Sequence, residues 1–187
     1  MLDFIRLGFN HIADPAALDH VLFLLALAAI YRGRDWRSAA WVVTAFTVGH
    51  SVTLALAVTG ALHLPTPVIE FLIPVTIVAT GVENLLIRDR GSAPWGRRYR
   101  PLFAAVFGLV HGAGFANYLR DFFTEFIAAP LLGFNLGIEL GQLLILAAAG
   151  LALTAVDSVV GHRVRVVAVS ATVVIAAATM AAARTPW

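Results

Sequence analysis

Long apolar stretches, interrupted by short segments that contain polar residues, proline or glycine, run through almost the whole chain. A membrane-spanning helix needs about 20 predominantly apolar residues, and these stretches reach that length. They predict six helices, near residues 15–31, 36–60, 67–87, 101–119, 127–156 and 164–183. The pattern therefore predicts an all-α, polytopic integral membrane protein with about six transmembrane helices.

The residues at the ends of the stretches support these boundaries. Asp14 before Pro15 is typical of a helix start, Gly60 of a helix end, and Pro101 opens the fourth stretch. Residues 1–13 are too short to cross a bilayer and lack the basic start and cleavage site of a signal peptide. We expect a single transmembrane domain over residues 1–187, in which 1–13 form an interfacial or re-entrant segment and 15–183 form the bundle.

Composition agrees with a membrane protein and limits the available chemistry. Hydrophobic residues make up 60% of the chain and charged residues 13%, whereas soluble domains carry about 25% charged residues. The sequence contains no cysteine, which excludes disulfides, thiolate zinc sites and iron–sulfur clusters. We interpret the basic pI of about 9.7 as a topology signal and not as a nucleic-acid-binding footprint.

The arginines predict an orientation in the membrane. Ten of them lie in alternate loops: Arg32, Arg34, Arg37, Arg88, Arg90, Arg97, Arg98, Arg100, Arg163 and Arg165. The opposite side carries only Arg6, Arg120 and Arg184. By the positive-inside rule the ten-arginine side is cytoplasmic. This predicts a multi-pass protein of the bacterial inner membrane with both termini outside.

Polar side chains lie within the predicted helices, where an ionisable group costs about 2.5–3.5 kcal/mol at the bilayer centre. The set is Asp19, His20, His50, Ser51, Glu70, Glu83, Asn84, His111, Asn117, Asn135, Glu139 and Gln142. At a rise of 1.5 Å per residue, the three histidines, Asp19 and Glu70 lie about 5–15 Å from the outer helix ends. Glu83 lies about 20 Å deeper than Glu70, so these two glutamates cannot share an ion.

Three imidazoles at similar depth indicate a metal site in the outer half of the membrane. Neutral imidazole is the commonest transition-metal ligand, and a carboxylate beside it can bind the ion or orient the ring. We predict His20, His50 and His111 as ligands, with Asp19 as ligand or supporting group and His11 as a further candidate. These ligand types suit nickel, cobalt or zinc better than calcium or magnesium.

The other polar residues have both a functional and a structural interpretation. Candidates for supporting groups or for an inward pathway are Glu70, Asn135, Glu139, Gln142, Glu83, Asn84 and Ser51. Alternatively, interhelical hydrogen bonds are formed by Asn84, Asn117 and Gln142. In this interpretation Glu83 lies at the interface near Arg88, and Ser51 bonds to its own helix. In the fifth stretch, glycines at 133, 137 and 141 form a stripe that predicts a closely packed neighbouring helix.

Five motifs in one order resemble those of the HupE/UreJ membrane proteins. They are His11-Ile12 with residues 18–25 (LDHVLFLL), residues 46–54 (FTVGHSVTL), Glu70 with Glu83-Asn84-Leu85, residues 107–116 (FGLVHGAGFA) and residues 134–142 (FNLGIELGQ). The resemblance covers about residues 9–143. It implies about six membrane helices and a role in nickel or cobalt uptake that supplies hydrogenase or urease maturation.

The sequence supports two functional hypotheses. A divalent-metal uptake permease would capture an ion at the outer cluster and pass it inward, and the deeper polar residues of the third and fifth stretches favour this hypothesis. An intramembrane zinc-dependent hydrolase open to the periplasm would use the same histidines, and the shallow position of the cluster favours it. The expected partners are lipid and metal ion, with no nucleic acid, and a homo-oligomer is an option for so small a transporter.

Overall fold

A computed structural model describes residues 1–14, 17–63, 65–87, 99–120 and 128–186, and of residues 116–120 it describes the backbone alone. In these ranges there is no strand, and the helices are α1 (Leu2–Ala13), α2 (Leu18–Ala29), α3 (Trp36–Val58), α4 (Thr66–Leu86), α5 (Tyr99–Arg120), α6 (Ala128–Val160) and α7 (His162–Ala183). A short 3-10 turn, Gly33–Asp35, precedes α3. The all-α class is confirmed.

Within the described ranges, four helices are long and apolar enough to cross a membrane: α4, α6, α7 and α3 with its preceding turn. A fifth span results if α1 and α2, which meet at a bend of 73°, are counted together. α5 has 22 residues and therefore the length of a span, but it is not among these four. The prediction of six spans is confirmed only in part, and the outside location of the termini stays a prediction.

The predicted first span, residues 15–31, differs from the structure. α1 ends at Ala13, and Asp14 has φ −67° and ψ 116°, an extended backbone that is usual before proline. α2 then begins at Leu18 and has only 12 residues, which is about 18 Å of helix. Neither helix is long enough to cross a bilayer alone, so the polar residues near this break lie where two short helices meet.

α1 packs along α6, and glycines allow the two backbones to touch. A Cβ atom on Gly137 would clash with the carbonyl oxygen of Ile5, and one on Gly8 would clash with that of Phe134. Gly141 lies against Ile12 in the same way. The glycine stripe of α6 had predicted a close neighbour, and α1 is that neighbour.

α3 and α5 are joined by a second glycine contact. A Cβ on Gly108 would clash with the Phe46 carbonyl, and one on Gly112 with the His50 carbonyl. Because position 46 meets 108 and position 50 meets 112, the two helices run in the same direction. This packing places His50 beside the turn of α5 that carries His111.

Arginines in the first turns of α7 cap two other helices. Arg163 donates to the carbonyl of Leu85 at 2.7 Å, near the end of α4. Arg165 donates to the carbonyl of Ala29 at 2.9 Å and pairs with Asp157 of α6 at 2.6 Å. The last carbonyls of a helix lack intrahelical partners and carry partial negative charge. These contacts bring the C-terminal ends of α2, α4 and α6 to one end of the bundle.

Candidate metal site and the polar cluster beside it

Four histidines from four helices lie near the centre of the bundle. The ring of His20 on α2 lies between His11 of α1 and His111 of α5, with ring centroids 4.6 Å and 5.9 Å apart. The Phe46 ring lies 5.0 Å from that of His111 and 6.1 Å from that of His50. The structure thus brings the rings of His11, His20 and His111 together, and the ring of Phe46 contacts those of both His111 and His50.

Among these four side chains, His50 is the one in which both ring nitrogens are buried and lack hydrogen-bonding partners in the described residues. It is 0% exposed, and neither ring nitrogen finds a partner among the described residues. Buried polar groups in proteins are nearly always hydrogen-bonded, and an unsatisfied one costs about 1–3 kcal/mol. A neutral imidazole has one N–H and one lone pair, and at His50 neither has a protein partner among the described residues.

Thr76 of α4 determines which ring nitrogen of His111 carries the hydrogen. This residue was not among the candidates predicted from the sequence. The Thr76 hydroxyl lies 2.7 Å from the carbonyl of Ile73 and 3.0 Å from Nε2 of His111. A hydroxyl has one proton, and the Ile73 carbonyl can only accept, so the proton goes to Ile73. Nε2 of His111 therefore carries the hydrogen and donates to Thr76. Nδ1, buried and without a described partner, keeps a free lone pair.

Asp19 lies beside His20 at the start of α2. Its Oδ1 accepts a hydrogen bond from the backbone amide of His20 at 2.9 Å. The Nδ1 atom of the His20 ring lies 3.0 Å from the same Oδ1. This contact is short enough for an ion pair but does not have the geometry of a hydrogen bond. Nδ1 of His20 therefore has no hydrogen-bond partner among the described residues. Arg184, after α7, lies 3.5 Å from Oδ2. The carboxylate is therefore held between an imidazole and a guanidinium.

The separations of the His20 ring from those of His11 and His111 agree with a shared ion, but the side chains do not form a ligand set. Metal–nitrogen bonds of about 2 Å place the centroids of two rings on one ion roughly 5–6 Å apart, close to the observed distances. In the part of the chain that the structure describes, however, no three histidine, aspartate or glutamate side chains are arranged to hold a metal. Binding would require these side chains to move.

A second polar cluster joins α3 to α6. The hydroxyl of Thr44 donates to Glu139 Oε1 at 2.6 Å, and that of Thr47 donates to Gln142 Oε1 at 2.7 Å. Gln142 is 1% exposed, and Glu139 Oε2 is buried without a partner in the described residues. The sequence indicated the stripe on α6 but not the threonines. The threonines could have been found in the sequence from their spacing, because Thr44 and Thr47 are three residues apart, as are Glu139 and Gln142.

Three other candidates, Glu70, Asn135 and Ser51, form no hydrogen bond or ion pair with the histidines among the described residues. Glu70 is exposed on α4. Asn135 donates to the Leu131 carbonyl at 2.9 Å, and its Oδ1 is buried with no partner among the described residues. Ser51 donates to the Thr47 carbonyl at 2.7 Å, which is the structural interpretation given above. The side chain of Asn117 lies outside the described residues.

Glu83 and Asn84 belong to a network at the end of α4. Glu83 pairs with Arg100 at 2.6 Å and accepts a hydrogen bond from the hydroxyl of Tyr99. Asn84 donates to the Ala26 carbonyl at 2.7 Å and accepts from Arg100 at 2.7 Å. The network ties α2, α4 and α5 together, and Asn84 forms the interhelical hydrogen bonds given above as its structural interpretation. Arg88, the expected neighbour of Glu83, lies outside the described residues.

Comparisons with known proteins identify the family. No curated protein and no solved structure matches the chain. A family model described as "HupE / UreJ protein" matches residues 1–185, which is nearly the full length and includes every motif on which the resemblance rested. The chain therefore belongs to the HupE/UreJ family.

Proposed function

We propose that the protein takes up a divalent transition-metal ion, nickel or cobalt, across the bacterial inner membrane. His20, His50 and His111 bind the ion, with Asp19 and His11 as further ligands or supporting groups. The observation that carries this proposal is His50, which is wholly buried and has both nitrogens without a partner among the described residues. Beside it, His111 offers the free lone pair of Nδ1.

A metal accounts for these histidines better than hydrogen bonding does. Protonating several neighbouring buried rings is unfavourable, because the imidazolium charges repel one another and lose their hydration. Neutral rings with free lone pairs are the form in which histidine binds nickel, cobalt and zinc. Membership of the HupE/UreJ family favours nickel or cobalt among these ions.

Polar side chains continue beyond the histidines and support a route for the ion. Thr47 lies one turn from His50 on α3 and bonds to Gln142, so Gln142 and Glu139 adjoin the histidine layer. Glu83 and Asn84 lie at the far end of α4, where they are engaged by Arg100. An ion that leaves through this end requires the pair between Glu83 and Arg100 to open.

Metal binding and flux measurements test the proposal together. The purified protein should bind Ni²⁺ or Co²⁺ in equilibrium dialysis, and His50→Ala or His111→Ala should weaken this binding at least tenfold. His63→Ala is the matched control, because His63 is exposed in a loop. Sealed vesicles containing the wild-type protein should accumulate the ion, and the His111→Ala vesicles should not. A wild-type protein that binds no divalent metal would refute the proposal.

The same histidines would serve an intramembrane zinc hydrolase open to one side, and flux separates the two functions. Metal that binds at His111 without accumulating in vesicles would favour the enzyme. Glu83→Ala gives a second criterion. In a permease this change should reduce flux while the histidine site still binds metal, whereas a one-sided hydrolase should keep its metal content and turnover once folding is controlled for.

A further inference from the structure

Two pairs of oxygen-bearing side chains face each other between α3 and α6. We propose that Thr44, Thr47, Glu139 and Gln142 form a second cation site, separate from the histidines, that binds a monovalent ion of the size of sodium. The site goes beyond the proposed metal uptake, since its ligands are all oxygen atoms and it can bind an ion whether or not the histidines bind metal.

The spacing of the four residues places the two oxygen pairs on facing turns of α3 and α6. Residues three apart on a helix lie on one face, so Thr44 and Thr47 present two hydroxyl oxygens to the face of α6 that carries Glu139 and Gln142. The contacts of 2.6 Å and 2.7 Å show that the two faces already touch. Carboxylate, hydroxyl and amide oxygens are the ligands that hard cations prefer, in contrast to the imidazoles of the neighbouring site.

The hydroxyl of Thr47 can turn its lone pairs toward an ion without losing its own hydrogen bond. The Val43 carbonyl lies 3.2 Å from the Thr47 hydroxyl oxygen and is an alternative acceptor for the proton now shared with Gln142. When a cation arrives, the proton can point to Val43, which frees the Gln142 oxygen for the ion. The site therefore rearranges by hydroxyl rotation and not by helix movement.

Charge balance indicates a monovalent ion. In the described part of the chain no arginine or histidine forms an ion pair with Glu139, and Oε2 is buried without a partner. A carboxylate in this environment is costly unless a cation neutralises it. The site contains one carboxylate and three neutral ligands, so its total charge is zero when Na⁺ is bound. A divalent ion would leave a net charge of +1 in a place removed from water.

The position of the cluster connects it to the metal site. Thr47 and His50 are three residues apart on α3, which is a rise of about 4.5 Å. A positive ion at each site would repel the other, so filling one site is expected to weaken the other. Uptake of metal would then depend on sodium.

Binding of ²²Na⁺ to the purified, metal-free protein tests the site directly. We expect saturable binding that competes with unlabelled Na⁺ and is at least tenfold weaker in Glu139→Gln, which keeps the shape and removes the charge. The double change Thr44→Val with Thr47→Val should have a similar effect. Thr59→Val is the control, because Thr59 directly follows α3 and its hydroxyl bonds only to carbonyls of that helix, at 2.8 Å and 3.1 Å. Size-exclusion chromatography checks that each variant is folded.

The outcomes separate this site from the proposed metal uptake. No ²²Na⁺ binding by the wild-type protein, or equal binding by Glu139→Gln, would overturn the sodium site. A second contrary result is possible. If the His111→Ala protein still binds ⁶³Ni²⁺ and the additional change Glu139→Gln abolishes that binding, the cluster binds the transported divalent ion, and the sodium site is overturned. If ²²Na⁺ binds as expected while the wild-type protein binds no Ni²⁺, Co²⁺ or Zn²⁺, the sodium site stands and the metal-uptake proposal fails.

Discussion

The guanidinium of Arg100 lies 2.6 Å from the carboxylate of Glu83, which joins the first turn of α5 to the last turn of α4. The same guanidinium donates to Asn84, which in turn holds the Ala26 carbonyl. Arg100 is 9% exposed, so its charge depends on Glu83 for compensation. This pair closes the end of the bundle that the arginines predict to face the cytoplasm.

Replacing Glu83 alone should destabilise the protein more than replacing both Glu83 and Arg100. Glu83→Ala leaves a buried guanidinium unpaired, and breaking a fully buried pair costs about 3–5 kcal/mol. Because the Glu83 side chain is 24% exposed, we expect a loss near the lower limit. The double variant Glu83→Leu with Arg100→Met should recover most of it. Thermal unfolding in detergent measures the difference, with Glu70→Ala as the control for an exposed glutamate on α4. Equal stability of the single variant and that control would show that the pair contributes nothing.

Thr76 should control metal affinity through the ring of His111. Thr76→Val removes the hydroxyl that accepts from Nε2, so the hydrogen can move to Nδ1 and block the lone pair. Loss of a group that orients a histidine ligand typically weakens metal binding 10–100-fold, and Thr76→Ser should restore it. Nitrogen-15 NMR of histidine-labelled, metal-free protein should show Nδ1 of His111 unprotonated in the wild type and in Thr76→Ser. A protonated Nδ1 in the wild type would contradict the assignment.

Gly108 should be intolerant of a methyl group, while Gly150 should accept one. A Cβ on Gly108 meets the Phe46 carbonyl, and one on Gly150 meets nothing within 4 Å. Gly108→Ala should therefore separate α3 from α5, lower the unfolding temperature and weaken metal binding. Gly150→Ala should stabilise the helix by up to about 1 kcal/mol through its higher propensity. If both variants unfold at the wild-type temperature, the close packing of α3 and α5 is not essential.

The arginine distribution predicts that Ser92 faces the cytoplasm. Ser92 lies outside the described residues, so its location depends on the positive-inside rule alone. A cysteine introduced there should react with a membrane-impermeant maleimide only after the cells are opened. His63→Cys, in a loop of the opposite side, should react in intact cells. Labelling of position 92 from outside would reverse the orientation and place both termini in the cytoplasm.

The sequence by itself determined the helical class and the residues of chemical interest. Apolar stretches and their breakers are local features, and so α4 and α7 agree closely with the predicted boundaries. A histidine in a membrane helix is conspicuous because an ionisable group there is costly without a partner, and for this reason His20, His50 and His111 could be identified from the sequence. The glycine stripe of α6 could be read in the same way, because a missing side chain always permits close approach.

The tertiary structure alone decided which groups are partners. The pairing of Thr44 with Glu139 joins residues 95 positions apart, and that of Thr76 with His111 joins residues 35 apart, so neither follows from any local pattern. The boundary after residue 13 was predicted from Asp14 and Pro15, but the start of α2 at Leu18 and its length of only 12 residues were not, because hydropathy does not fix where an apolar helix begins and ends. Arg100 was interpreted as a topology signal, since a sequence shows the charge but not the carboxylate it meets. Pairing depends on how the helices pack, and that is set by contacts distributed over the whole bundle.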